Sequence, residues 1–194
     1  SKETIDMINI KCHDFRHQIR EFGDNQKIDV EAIANLNKLI RIYDSTYHTE
    51  NEALNVILNE KTLLCNNKNI RFTCIVDGNA LNFIENEDIY SLFGNLIDNS
   101  IEAVNELDDN EKIISLKIKQ VGNIVSISIK NGYKGTIKME NNLPISKKGD
   151  NIHHGFGMKS IKMVCEKYNG SLKLNIINNV FNVTILFIRN EKSS

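Results

Sequence analysis

The first forty-seven residues carry an apolar spacing that few folds accommodate. Ile5, Ile8, Cys12, Phe15, Ile19 and Phe22 are separated by 3, 4, 3, 4 and 3 residues. This is the narrow seam of a coiled coil, not the broad stripe of a helix lying on a globular core. Gly23-Asp24-Asn25 interrupts the seam with turn residues, and the same spacing resumes at Ile33, Leu36, Ile40, Tyr43 and Tyr47. Two seam helices joined by a short turn form an antiparallel hairpin. Alone, such a hairpin leaves much of its apolar surface wet. Pairing two copies into a four-helix bundle buries that surface, so a homodimer is expected.

Past residue 50 the pattern changes. Leu54, Ile57, Leu58 and Lys61 fit one further helix, and Ile70–Val76 alternates as a strand ending at Asp77-Gly78-Asn79. A long helix is expected over 87–107, with Ile89, Leu92, Phe93, Leu96, Ser100 and Val104 on one side. Strands follow at Ile114–Ile118 and Val125–Ile129, whose polar alternates imply one packed face and one wet face. Residues 131–156 lose periodicity and hold the chain's one proline, Pro144, which suits a lid. A helix is expected to restart near Gly157 and to be capped by Asn169-Gly170. Leu172–Ile176 and Phe181–Phe187 close the chain as strands. The fold class is α+β: a helical-hairpin dimerisation segment over 1–48, then an α/β sandwich with a mixed, largely antiparallel sheet over 49–194.

Charge narrows the functions available. Lys and Arg number 24 against 25 Asp and Glu, so no net basic field would hold nucleic acid. No apolar run approaches the roughly 20 residues of a membrane span, and no direct membrane contact is expected of this segment. The chain opens at Ser1 and is read as a cytoplasmic fragment of something longer, with a membrane sensor upstream. The four cysteines, Cys12, Cys65, Cys74 and Cys165, are too dispersed for a metal knuckle or redox pair.

Three clusters could carry chemistry. His13 flanks the seam, with Asp14 beside it and Gln18 completing His-Asp-x-x-x-Gln. A carboxylate holding one imidazole proton leaves the other ring nitrogen as a nucleophile. The pair also reads as ordinary surface residues, or, with His17 one turn on, as half of a metal site lacking further ligands. In the second cluster, Asn95, Asn99 and Glu102 fall on one stripe of the long helix, with Asp98 at its margin. Asparagine is a poor helix former, and amide oxygens near a carboxylate suit Mg²⁺ carried on phosphates. The third cluster, His154-Gly155-Phe156-Gly157, precedes a helix whose exposed N–H groups could meet an anion; it also reads as a tight loop.

The order of these clusters resembles the cytoplasmic kinase core of a sensor histidine kinase, a branch of the GHKL ATPase superfamily. Cys12–Ile19 is similar to its phosphoacceptor box, Asn95–Ala103 to its Asn box, and His154–Met158 to its second glycine box. The nearest subgroup is that of peptide-pheromone, quorum-sensing receptor kinases. The resemblance implies ATP and Mg²⁺ as cofactors, His13 as the phosphorylated residue, and Asp14 as the base that orients it. Asn99 would bind the metal, with Asn95 near the phosphates. Ser146, Lys147, His154, Gly155 and Gly157 would wrap the triphosphate. Phosphohistidine would pass its group to a response regulator, and Gln18 would assist the regulator's dephosphorylation. The usual Asp-x-Gly-x-Gly box is missing: the chain reads Lys130-Asn131-Gly132-Tyr133-Lys134-Gly135, where Asn131 would replace the adenine-binding aspartate as a weaker, neutral acceptor. The alternative is a dimeric, nucleotide-responsive scaffold without kinase activity.

Overall fold

The computed structural model describes residues 47–134, 138–140, 143–145 and 154–189, with side chains for 47–134 and 157–189. His13, Asp14, His17, Gln18 and the rest of the expected hairpin through Tyr43 lie outside the described residues, as do Ser146 and Lys147. The described residues belong to one compact unit that begins at Tyr47.

Tyr47 itself is a correction. It was read as the last seam position of a helix, but residues 47–49 are non-helical and Tyr47 packs against this unit's core. Two asparagines hold the segment in place. Tyr47 N–H donates to Asn59 Oδ1 (2.7 Å), and Asn59 Nδ2 donates back to the Tyr47 carbonyl (3.4 Å). Thr49 N–H donates to Asn55 Oδ1 (2.6 Å), and Asn55 Nδ2 returns a bond to the Thr49 carbonyl (2.9 Å). Because Asn55 and Asn59 are one helical turn apart, their amides meet alternate residues of an extended chain.

That helix, α1 (Glu52–Asn67), starts at Asn51, whose Oδ1 accepts from Leu54 N–H at 2.9 Å as an N-cap. Strand β1 (Arg71–Val76) follows, then a 3-10 turn at Asn79–Leu81 and the long helix α2 (Asn86–Asn105). Helix α2 buries Ile89, Leu92, Phe93, Leu96, Ile97, Ser100, Ile101 and Val104, the three-and-four spacing that directs one face inward. Strands β2 (Ile113–Val121) and β3 (Ile124–Gly132) form a hairpin; β4 (Lys138–Glu140) pairs with β5 (Leu143–Ile145) as a separate two-stranded piece. Helix α3 (His154–Lys167) and strands β6 (Ser171–Ile177) and β7 (Val180–Ile188) complete the unit.

The main sheet runs β1-β2-β3-β7-β6. Only β1 and β2 are parallel; the other neighbours are antiparallel. The mixed sheet is as expected, but two boundaries move. Strand β3 continues past Ile129 to Gly132, because Asn131 pairs with Ile114 on one side and Phe181 on the other, and Gly132 pairs with Val180. Helix α3 begins at His154 and not near Gly157. The region read as an aperiodic lid therefore loses residues to a strand at one end and a helix at the other, and contains β4 and β5.

Alternation gives the sheet two faces. Ile114, Leu116, Ile118, Val125, Ile127, Ile129, Val183, Ile185 and Phe187 face the helices and are buried. At about 25 cal/mol per Å² of apolar surface removed from water, this layer is the unit's main source of stability. Helix α3 stops as expected at Asn169, which takes φ 52°, and Gly170 N–H returns to the Cys165 carbonyl at 2.7 Å. Phe83, Tyr168 and Phe187 then meet edge to face, with centroids 5.4–6.4 Å apart. Among the described residues no helix is long and apolar enough to cross a membrane.

Candidate functional site

Two helices that pack against each other bring the second and third sequence clusters together. Asn95 and Asn99 lie one turn apart in the middle of α2, and Gly157 lies in the first turn of α3. A Cβ at residue 157 would stand 3.1 Å from Asn95 Oδ1 and 3.2 Å from Asn99 Oδ1. Glycine is what lets the α3 backbone come this close.

Hydrogen bonds orient both amides. Asn95 Nδ2 donates to the Ser91 carbonyl (2.6 Å), and Asn99 Nδ2 lies 3.5 Å from Met158 Sδ. With their N–H groups turned to these acceptors, the two carbonyl oxygens face the start of α3. That start carries four N–H groups without intrahelical partners, and no acidic residue occupies its first turn. Helix-end N–H groups favour an anion and neutral amide oxygens favour a hard cation, so the pairing suits a metal-carrying phosphate chain. His154 and Gly155 occupy the same first turn of α3. Only their backbone is described.

Asp98 does not join this oxygen pair. Its carboxylate meets Lys61 of α1, with Nζ 2.9 and 3.0 Å from its two oxygens. Lys61 is only 8% exposed. Burial alone would lower its pKa, but the hydrogen bond and charge of Asp98 outweigh it and raise the value above 10.5. The role of Lys61 was missed in the sequence. The signal was there, since a lysine on the apolar stripe Leu54, Ile57, Leu58, Lys61 needs an acidic partner.

Asn131 ends β3 on the helix-facing side and is 2% exposed. Its Nδ2 donates to the Gly132 carbonyl at 2.8 Å, which leaves Oδ1 as the free end, an acceptor. Gly132 has a packing reason of its own: a Cβ there would stand 2.7 Å from the Glu111 carbonyl. An open hollow of about 490 Å³ adjoins this strand end, lined by Leu107, Ser115, Lys130, Tyr133, Asn179 and Val180 among others. It does not include Asn95, Asn99 or Gly157.

The three cysteines among the described residues are packing residues of the unit. Cys65 and Cys165 are buried and Cys74 is half-buried. Burial pushes the Cys65 and Cys74 thiols up to about 12 and that of Cys165 up to about 11, far from thiolate reactivity. No group of three or more metal-ligating side chains occurs among the described residues.

Residues 84–188 match the model of the GHKL domain family, a span that includes α2, the sheet from β2 onward and α3. The chain belongs to the GHKL family. GHKL ATPase domains bind ATP, usually with Mg²⁺, and the oxygen pair facing a helix start fits that use. Among solved structures, the catalytic domain of the histidine kinase ThkA aligns at 16% identity and TM-score 0.53, over 73% of this chain and 93% of its own. A second form of the same domain aligns at 15% identity and TM-score 0.51. The Acinetobacter baumannii histidine kinase AdeS aligns at 11% identity and TM-score 0.50, over 93% of this chain and 95% of its own. At these identities the likeness is one of fold. A search of curated proteins by sequence finds no match.

Proposed function

We propose that this GHKL chain is the cytoplasmic kinase core of a sensor histidine kinase, with His13 as its phosphoacceptor. The observation that carries the reading is the meeting of Asn95, Asn99 and Gly157, an arrangement built for a metal-bearing triphosphate, in a chain that also carries His13-Asp14-x-x-x-Gln18 on a seam. Asn99 would hold Mg²⁺, with Asn95 beside it; the ion would supply charge neutralisation at the phosphates. The start of α3, with Gly155 and Gly157, would bind phosphate oxygens through backbone N–H groups. Ser146, Lys147 and His154 would close over them. Asn131 would accept a hydrogen bond from the adenine amino group.

The chemistry asks mainly for alignment. Asp14 holds the proton on one nitrogen of His13, and the other nitrogen attacks the γ-phosphorus. The bond from phosphorus to the β–γ bridging oxygen breaks, ADP leaves, and a P–N bond remains on His13. An aspartate of a response regulator then takes the phosphoryl group, and Gln18 positions water to remove it later. The functional unit is a homodimer paired through residues 1–48, in the cytoplasm below a membrane sensor. Within the family, the peptide-pheromone receptor subgroup fits best on Asn-Ser-Ile-Glu-Ala at 99–103.

Incubation with γ-labelled ATP and Mg²⁺ tests this. Acid-labile, base-stable label that disappears in His13→Gln is the expected result. Nucleotide binding without label would favour the second reading, a nucleotide-responsive scaffold, which the neutral Asn131 in place of an aspartate supports. Phosphate release that survives His13→Gln would make the chain an ATPase of another kind.

A further inference from the structure

The outer face of the five-stranded sheet carries charge of one sign. Its side chains come from Arg71, Thr73 and Ile75 on β1, and alternate residues Ile113 to Val121 on β2. Strand β3 adds Ile124, Ser126, Ser128 and Lys130, β7 adds Val180, Asn182, Thr184, Leu186 and Ile188, and β6 adds Ser171, Lys173, Asn175 and Ile177. The charged groups among them are Arg71, Lys117, Lys119, Lys130 and Lys173; no Asp or Glu lies within these strands, and Asp77, whose N–H donates to the Ile118 carbonyl directly after β1, borders the face. Yet the chain as a whole is balanced, 24 basic against 25 acidic residues. None of these five cations makes an ion pair among the described residues, whereas Lys61, Lys112, Lys162 and Lys167 do. The helices on the opposite side are acidic on balance: α1, α2 and α3 carry Glu52, Glu60, Glu87, Asp88, Asp98, Glu102 and Glu166 against Lys61, Lys159, Lys162 and Lys167.

Register places the cations in the middle rows of the face. Lys117 neighbours Ser128, and Thr184 joins that row to Lys173; Lys119 neighbours Ser126, and Lys130 neighbours Ser115 and Asn182. Beyond Lys119, the β2–β3 hairpin turns at Gly122-Asn123 and presents a row of aliphatic residues. Val121 pairs with Ile124, and Ile124 with Ile188. Val121 is 76% exposed and Ile188 64%, with Leu186 exposed beside them. This apolar tip lies at the end of the sheet away from Asn131.

We propose that this face adsorbs to an anionic lipid bilayer, the lysines meeting headgroups and the Val121-Ile124-Ile188 tip entering the headgroup boundary. Its composition selects this occupant. Protein interfaces concentrate aromatic residues and Arg and are poor in Lys, and single-stranded nucleic acid needs aromatic platforms. The face has no aromatic residue and a single Arg. A bilayer needs only unpaired cations, worth about 1 kcal/mol each near an anionic surface, and exposed aliphatic groups beside them. The helix side, acidic on balance, would be disfavoured by the same field, which biases the orientation. The expectation of no direct membrane contact rested on the lack of an apolar run long enough to span, a criterion that does not bear on surface adsorption by a charged sheet face.

Co-sedimentation of the full chain with vesicles tests this, using phosphatidylcholine alone and phosphatidylcholine with about one-third phosphatidylglycerol. Pelleting is expected with the anionic vesicles alone and should be lost as NaCl rises from about 0.1 to about 0.5 M. Lys117→Glu with Lys119→Glu should weaken partitioning at least about 30-fold. Lys117→Gln with Lys119→Gln, which perturbs folding less, should weaken it in the same direction, and Val121→Ser with Ile188→Ser should also reduce it. Reversing two cations off the face, Lys68→Glu with Lys162→Glu, should change it less than threefold. No pelleting overturns the proposal and leaves the face to an acidic protein surface. Equal pelleting with neutral vesicles, or equal loss in the off-face reversal, also overturns it.

Discussion

At the scale of single residues, the contact between Gly157 and the amides of Asn95 and Asn99 is the tightest constraint on the candidate site. A methyl group at 157 would sit 3.1–3.2 Å from both oxygens, closer than ordinary van der Waals contact, so both amides would have to shift and the space in front of their oxygens would be filled. Gly157→Ala is therefore expected to weaken Mg²⁺-dependent ATP binding at least about tenfold, while alanine's better helix propensity keeps the melting temperature near that of the parent. Calorimetric titration with and without Mg²⁺ measures it; unchanged affinity would remove Gly157 from the site. The asparagines were legible in the sequence because each costs helix stability without an evident return. The direction of their oxygens was not. It depends on Ser91's carbonyl and on Met158, and the latter comes from another helix. Gly132, in the stretch where the usual glycine box is missing, is explained by packing against the Glu111 carbonyl.

Between elements, two polar links hold the helices in place. Lys61 ties α1 to α2 through Asp98. Because Asp98 keeps about half its exposure, removing the lysine leaves a wet carboxylate and not a buried one. Lys61→Met should then cost only about 1–2 kcal/mol in urea unfolding; a cost several times larger would mean that the carboxylate is desolvated. The second link joins the start of α2 to the end of α3. Lys167 Nζ lies 2.6 Å from both Glu85 and Asp88 carboxylates, and Tyr168 Oη donates to Asp88 at 2.6 Å. The hydrogen bonds from Lys167 and then from Tyr168 hold Asp88 below its ordinary 3.8. A depressed carboxylate stabilises the fold at pH values above its unfolded pKa and ceases to do so as pH falls through the folded value. Melting temperatures of wild type and Asp88→Asn should therefore differ at neutral pH and converge below about 3.8. A constant difference down to pH 2 would assign the effect to packing. The three described helices and the five strands of the main sheet were readable from periodicity, but β4, β5 and the element ends were not: β3 outran its apolar pattern because ladder partners on both sides continued it.

For the whole molecule, the seam expected from Ile5 to Tyr43 predicts a dimer. Light scattering of the full chain should give a mass near twice its 22.2 kDa, and a chain starting at Tyr47 should give the monomer mass. A dimer that survives the truncation would move the interface into the sandwich. The α+β order was visible because helical and strand periods alternate cleanly along the chain. The segregation of charge was hidden, since it appears only once alternate residues of five strands are assigned to faces.

The paired amides of Asn55 and Asn59 have a consequence for reach. They fasten the backbone at Tyr47 and Thr49 onto α1, so the stretch just before that helix holds no reserve length to pay out.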